Sequence, residues 1–161
     1  MRIYLDNCAY NRPYDELTQL TVSLEAQAKL QIQSWIRKGK FELVSSEILM
    51  LEISDCPFEV RRKGITEYIK ENSSIHVGAD NNRKVDETAK EIMLTGVKYK
   101  DACHIASALI AKCEYFISTD KRLLKYHSDR IRLLNPVQFV SETEENDYDE
   151  SYKYDWRKMH E

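Results

Sequence analysis

Four acids in this chain stand where an acid needs a reason. Asp6 follows the apolar run Ile3, Tyr4, Leu5 in RIYLDNCAYNRP. Glu52 interrupts the apolar stretch of SSEILMLEIS, Asp101 opens DACHIASALIAK, and Asp120 follows EYFIST. A carboxylate beside buried surface is unfavourable unless water, a hydrogen bond or a cation meets it. Clustered carboxylates raise one another's pKa, and hard divalent cations with oxygen ligands, Mg2+ or Mn2+ above all, offset that repulsion. Each acid alone also has a plain structural account. Asp101 and Asp120 suit helix N-termini, and Glu52 suits a solvent-facing helix position. Its competitor Glu47 lies in the first turn after Ser45 and Ser46, where an acid has a local role. The two lie about 140° apart around a helix and cannot share a direction, so Glu52 is the better candidate.

Basic residues flank the acids. Lys98 and Lys100 come just before Asp101, and Lys121 and Arg122 follow Asp120. Cations at a helix start oppose the helix dipole. They are either solvated surface or groups placed to attract phosphate.

The elements that must position these residues alternate. Short apolar, β-branched or aromatic runs predict strands at residues 2–5, 41–45, 74–77, 114–118 and 131–134. Helical periodicity fills the gaps. Residues 22–38 put Leu24, Ala28, Ile32, Trp35 and Ile36 on one face, and Gly39 takes the C′ position. Helices follow at 46–54 and 58–71, separated at Pro57, then at 81–95, stopped by Gly96. Residues 101–112 are the clearest, with Ala102, Ile105, Ala106, Leu109 and Ile110 in helical spacing. Such alternation implies an α/β fold with a mostly parallel sheet of about five strands, covered on both faces. Ligands in such sheets bind beyond the carboxyl ends of the strands, where Asp6 and Asp120 fall.

Composition narrows the classes. A length of 161 residues suits one domain. Met1 is followed by Arg2 and soon by Asp6, which is not a secretory pattern, and no run approaches the roughly 18 apolar residues of a membrane span. The expectation is a cytoplasmic protein with no membrane partner. Cys8, Cys56, Cys103 and Cys113 form no CxxC pair or zinc spacing and are expected as free thiols. Residues 141–161 carry eight acids against three bases, so the tail is strongly acidic and the body slightly basic. In that tail Tyr152, Tyr154 and Trp156 alternate with charged residues. This reads as an edge strand, or as a segment its acids keep solvated.

Taken in order, LDNCAYNRP, SSEILMLEI, KYKDACHIASAL and YFISTDKRLL resemble the PIN-domain family of metal-dependent nucleases. The resemblance covers residues 1–140, leaving 141–161 as a separate acidic, aromatic-containing tail. It implies a three-layer α/β/α fold and a small prokaryotic ribonuclease of the toxin kind. Asp6, Glu52, Asp101 and Asp120 would be catalytic and hold Mg2+ or Mn2+. Arg12, Lys98, Lys100, Lys121 and Arg122 are the candidates for phosphate contact. Where the family often has a small hydroxyl residue after the first aspartate, this chain has Asn7 and Cys8. Asn7, Ser118 and Thr119 would support the acids, and His104 would lie behind them or in the core without being a ligand. The implied substrate is single-stranded or unpaired RNA, and the resemblance admits an antitoxin protein and a homodimer as partners. A phosphatase of the haloacid dehalogenase type would need a second Asp where Cys8 stands. A phosphate-receiver domain would need adjacent acids near Asp6, which are absent. The serious alternative is a non-catalytic PIN-like module that binds nucleic acid or protein.

Overall fold

The structure, a computed structural model, describes residues 1–159, with side chains for all of these but 149 and 151–157. Five strands form one parallel sheet: β1 (Arg2–Leu5), β2 (Glu42–Ser46), β3 (Ser73–Val77), β4 (Tyr115–Ile117) and β5 (Arg132–Leu134), in the order β3-β2-β1-β4-β5. They match the five expected strands with small shifts at their ends. The central strand β1 is apolar at Ile3, Tyr4 and Leu5, and all three are fully buried, as a strand covered on both faces requires.

The helices are α1 (Asn7–Asn11), α2 (Leu20–Arg37), α3 (Glu47–Ser54), α4 (Glu59–Asn72), α5 (Asn82–Met93), α6 (Tyr99–Ile110) and α7 (Pro136–Met159). From β1 the chain steps outward to β2 and β3, then returns to the other side of β1 for β4 and β5. Right-handed crossovers send α5 and α6 to the opposite face from α2 after that reversal. Accordingly α5 packs on α6, and α2 packs on α7. The result is a three-layer α/β/α, PIN-like architecture. The reversal also makes a switch point between β1 and β4, where a crevice opens at the strands' carboxyl ends.

Four expectations need correction. As far as Met159 the tail is helical, not an edge strand. Helix α7 runs without a break through residue 140 to Met159, although its side chains at 149 and 151–157 lie outside the described residues. Its first turns are docked. Phe139 is buried between Phe41 and Tyr115, with ring centroids 5.2 Å from each. Glu142 pairs with Arg132 on β5, and Asp147 with Lys40. Alternation of aromatic and charged residues is compatible with a helix once its opening turn is anchored by tertiary contacts.

Helix α2 differs in its buried face. Ala28, Ile32 and Ile36 are buried as expected, but Leu24 is 44% exposed and Trp35 only half-buried. The helix buries Glu25, Lys29 and Gln33 instead, one turn apart from each other. It is packed on more than one side, so a single apolar stripe does not describe it. Gly39 has φ +81° at the C′ position, as its sequence predicted. The third correction concerns Asp101. It does not open its helix, because α6 begins at Tyr99 and Asp101 lies within the first turn. After Asp120 the chain makes a short 3-10 turn at Leu123–Lys125 rather than a helix. The four cysteines are free. Among the described residues no helix is long and apolar enough to cross a membrane.

Candidate metal centre

The acids reach the switch-point crevice from four elements. Asp6 leaves β1 still tied to the sheet, its N–H donating to the Ile117 carbonyl of β4 at 3.1 Å. Its side chain is buried and caps α1, accepting from Ala9 N–H at 3.0 Å. Burial pushes this carboxyl up to about 6, against hydrogen bonds from Ser118 and Ala9 that pull it down; the neighbouring Asp101 pushes it further up. Ser118, fully buried, also accepts the Asp120 N–H at 3.0 Å, so one hydroxyl joins the first and last acids.

Asp120 closes the turn after β4, its Oδ1 accepting from Arg122 N–H at 2.9 Å. Asp101 is different. Among the described residues its carboxylate has no hydrogen-bond or ion-pair partner. Burial and then the charge of Asp120 raise its pKa, with Glu52 adding to the rise and His104 and Lys98 opposing it. Asp101 thus carries an unpaired carboxyl beside other acids.

Glu52 is held from a different element. Its Oε1 lies 2.9 Å from His104 Nε2, and His104 Nδ1 lies 2.6 Å from the Tyr4 hydroxyl. Tyr4 lies 2.6 Å from Ser46 Oγ, which in turn accepts from Leu49 N–H. Two assignments satisfy the whole chain with Nε2–H donating to Glu52: Tyr4 O–H donates to Nδ1 and Ser46 O–H to Tyr4, or Nδ1–H donates to Tyr4 and Tyr4 O–H to Ser46. Burial pushes Glu52 up, but His104, Lys100 and Asn7 together hold it below its ordinary value. Asn7 therefore serves Glu52, and Asn11 donates to the Asn7 Oδ1 at 2.7 Å. Glu47 faces elsewhere, 3.9 Å from His76.

Cys8 sits within the field of all four acids. Desolvation pushes its thiol up to about 12, with Asp6, Asp120, Asp101 and Glu52 adding to the rise. The four carboxylates therefore share one neighbourhood, yet they are spread within it. Among the described residues no three acidic, histidine or cysteine side chains stand close enough together to hold an ion as they are. Two cavities flank the cluster. One, of about 330 Å³, has Asp101 and Asp120 in its wall; the other, of about 470 Å³, has Glu52, Asn7, Thr119 and Arg12.

The five basic candidates divide. Lys98 and Arg122 line the first cavity, and Lys98 lies close enough to Asp101 to lower its pKa. Lys100 does the same for Glu52. Arg12 pairs with Asp15 at 3.3 Å and with buried Glu25 at 3.8 Å, so it is bound into the fold at the edge of the second cavity. Lys121 is exposed and acts on Glu25. Tyr4, Ser46 and Asn11 did not stand out in the sequence. The only trace they leave there is a polar group inside an apolar strand or just past its end.

In fold the chain is similar to a chain of the crystal structure of VapBC2 from Rickettsia felis bound to a DNA fragment from their promoter. The two share 12% identity at a TM-score of 0.51, over 84% of this chain and 98% of that one. A chain of FitAcB from Neisseria gonorrhoeae aligns at a TM-score of 0.49 with 12% identity, over 83% of this chain and 97% of that one. At this identity the likeness is one of fold. No protein-family model matches the sequence, and no curated protein does.

Proposed function

We propose that this protein is an Mg2+- or Mn2+-dependent endoribonuclease that hydrolyses RNA phosphodiesters with Asp6, Glu52, Asp101 and Asp120. The observation that carries the proposal is Asp101, a half-buried carboxylate with no partner among the described residues, repelled by Asp120 and Glu52 at the switch point. Four carboxylates supply the hard oxygen donors these cations take. Mutual repulsion keeps such side chains apart without a cation, and binding would draw the partly exposed Glu52, Asp101 and Asp120 together. When bound, the cation neutralises the phosphate and lowers the pKa of a bound water.

The residues of the chain do the rest. His104 and Asn7 hold Glu52 ionised and oriented. Ser118 couples Asp6 to the Asp120 turn. Lys98, Lys100 and Arg122 offset the charge of an approaching phosphate. The proposal extends to an antitoxin partner, with the fold shared with VapBC2 as support, and to action as a toxin.

One observation favours the rival, a non-catalytic module: Asp6 and Asp120 both cap backbone N–H groups. Asp101 caps nothing, so Asp101→Asn discriminates. With a mixed single-stranded RNA and Mn2+, this variant is expected to fold normally and lose roughly 100-fold or more in cleavage rate. EDTA should abolish cleavage by the wild type. Wild-type-like cleavage by a folded Asp101→Asn protein would refute the assignment.

A further inference from the structure

We propose that the cavity of about 330 Å³ beside Asp101 and Asp120 binds the nucleotide next to the scissile phosphate of a single-stranded RNA. The proposal rests on the ribonuclease reading above and names a subsite of that centre.

The cavity is chemically mixed. Asp101 and Asp120 line it together with Lys98, Arg122, Lys125 and His127, and Leu123 and Tyr126 add apolar and aromatic groups. Leu123 is buried and Tyr126 half-buried, so both belong to the core. Arg122, Lys125 and His127 are exposed and their side chains have no hydrogen-bond or ion-pair partner among the described residues. Elsewhere many exposed cations are paired: Arg2 with Glu42, Lys63 with Glu59, Arg83 with Glu87, Lys90 with Asp86. Arg122 and Lys125, two unpaired cations lining one space, mark a site for an anion.

Two features select a nucleotide of a strand over a free anion. A small anion would have to settle beside two carboxylates unaided. A strand whose scissile phosphate is held at the metal centre delivers its next phosphate to the cations without that penalty. The half-buried Tyr126 ring gives a base a surface to lie against, and only an unpaired base is free to leave its stack for it. The volume also suits one small ligand rather than a duplex.

The test measures binding apart from cleavage. A labelled single-stranded RNA with non-hydrolysable linkages is titrated in Mn2+ with the wild type, Lys125→Gln and Arg122→Gln/Lys125→Gln over a salt series. Phosphate contacts predict a five- to tenfold loss of affinity for the double variant. The slope of log affinity against log salt should fall by about 0.7 for each contact removed. Lys63→Gln/Lys70→Gln, on the exposed face of α4, should leave both unchanged. An RNA made abasic at single positions should bind the wild type more weakly at one position, and Tyr126→Leu should remove that difference. An unchanged slope in the double variant, or an abasic series with no weak position, overturns the subsite. Metal-dependent cleavage by the wild type is scored separately. Cleavage with unaltered binding in the variants sinks the subsite alone, whereas no cleavage with Mn2+ sinks the ribonuclease reading.

Discussion

Lys29 places an ammonium inside the fold, 2% exposed, with its Nζ 5.3 Å from the Tyr10 ring centroid and 5.9 Å from that of Tyr68. The two rings supply cation–π attraction, but they do not replace water. Burial lowers Lys29 to about 7, and Arg37 adds to the fall. Its ordinary value is 10.5. Between these two values the unfolded chain carries a proton that the folded chain does not. Stability must therefore rise with pH across that window, and below it the full desolvation penalty applies. The contribution approaches about 1.4 kcal/mol per pH unit at its steepest. Lys29→Met keeps the length and removes the charge. Urea unfolding of both proteins across the window should show the variant more stable at its acid end, with the difference shrinking as pH rises. Parallel curves would mean that Lys29 is not desolvated as the fold places it.

Among the elements, α6 ends in a strained turn. Lys112 follows its C-cap with φ 57°, the only non-glycine positive φ among the described residues. An L residue there costs about 1–2 kcal/mol, part of which glycine regains at the expense of unfolded-chain entropy. Lys112 is exposed and its side chain makes no hydrogen bond or ion pair among the described residues. Lys112→Gly should therefore raise stability by roughly 0.5–1 kcal/mol. Chemical denaturation reads this directly, and a loss of stability would show that the Lys112 side chain contributes something its surroundings do not reveal. The helix matters because it carries both Asp101 and His104 to the crevice. Helix α7 shows the complementary case, in which Phe139 and the Glu142 and Asp147 ion pairs, rather than intrinsic periodicity, fasten an acidic segment to the body.

For the whole molecule, the sheet order brings β1 and β4 side by side and so makes neighbours of Asp6 and Asp120, far apart in the chain. Gathering carboxylates on this edge stores repulsion in the folded state, and a cation that relieves it binds that state selectively. Stability should then rise by about 2.7 kcal/mol at a hundred times Kd, a Tm gain of about 5–10 °C for a domain of this size. The gain should shrink as pH falls through about 6, because Asp6 must give up its proton before it can bind a cation. Superimposable melting curves in EDTA and in excess Mn2+ at neutral pH would count against the site. A gain that stayed constant below pH 6 would remove Asp6 from it.

The strand and helix pattern, the parallel sheet and the carboxyl-edge placement of Asp6 and Asp120 were legible in the sequence, because apolar periodicity and the residues bounding it are local signals. So was the divergence of Glu52 from Glu47, which lie five residues apart on one helix and therefore face different partners. What the acids touch was decided only by the tertiary structure. Asp6 and Asp120 cap turns while Asp101 caps nothing, and Asn7 serves Glu52 across to α3 rather than its neighbour Asp6. His104 reaches Glu52 and Tyr4 from positions 52 and 100 residues away. Glu25, Lys29 and Gln33 are buried because α2 is enclosed on several sides, which no stripe on an isolated helix reveals. Periodicity records which face of an element meets a core. It carries no information about which distant side chains complete a hydrogen bond or leave a charge unmatched, and those contacts separate a helix cap from a candidate ligand.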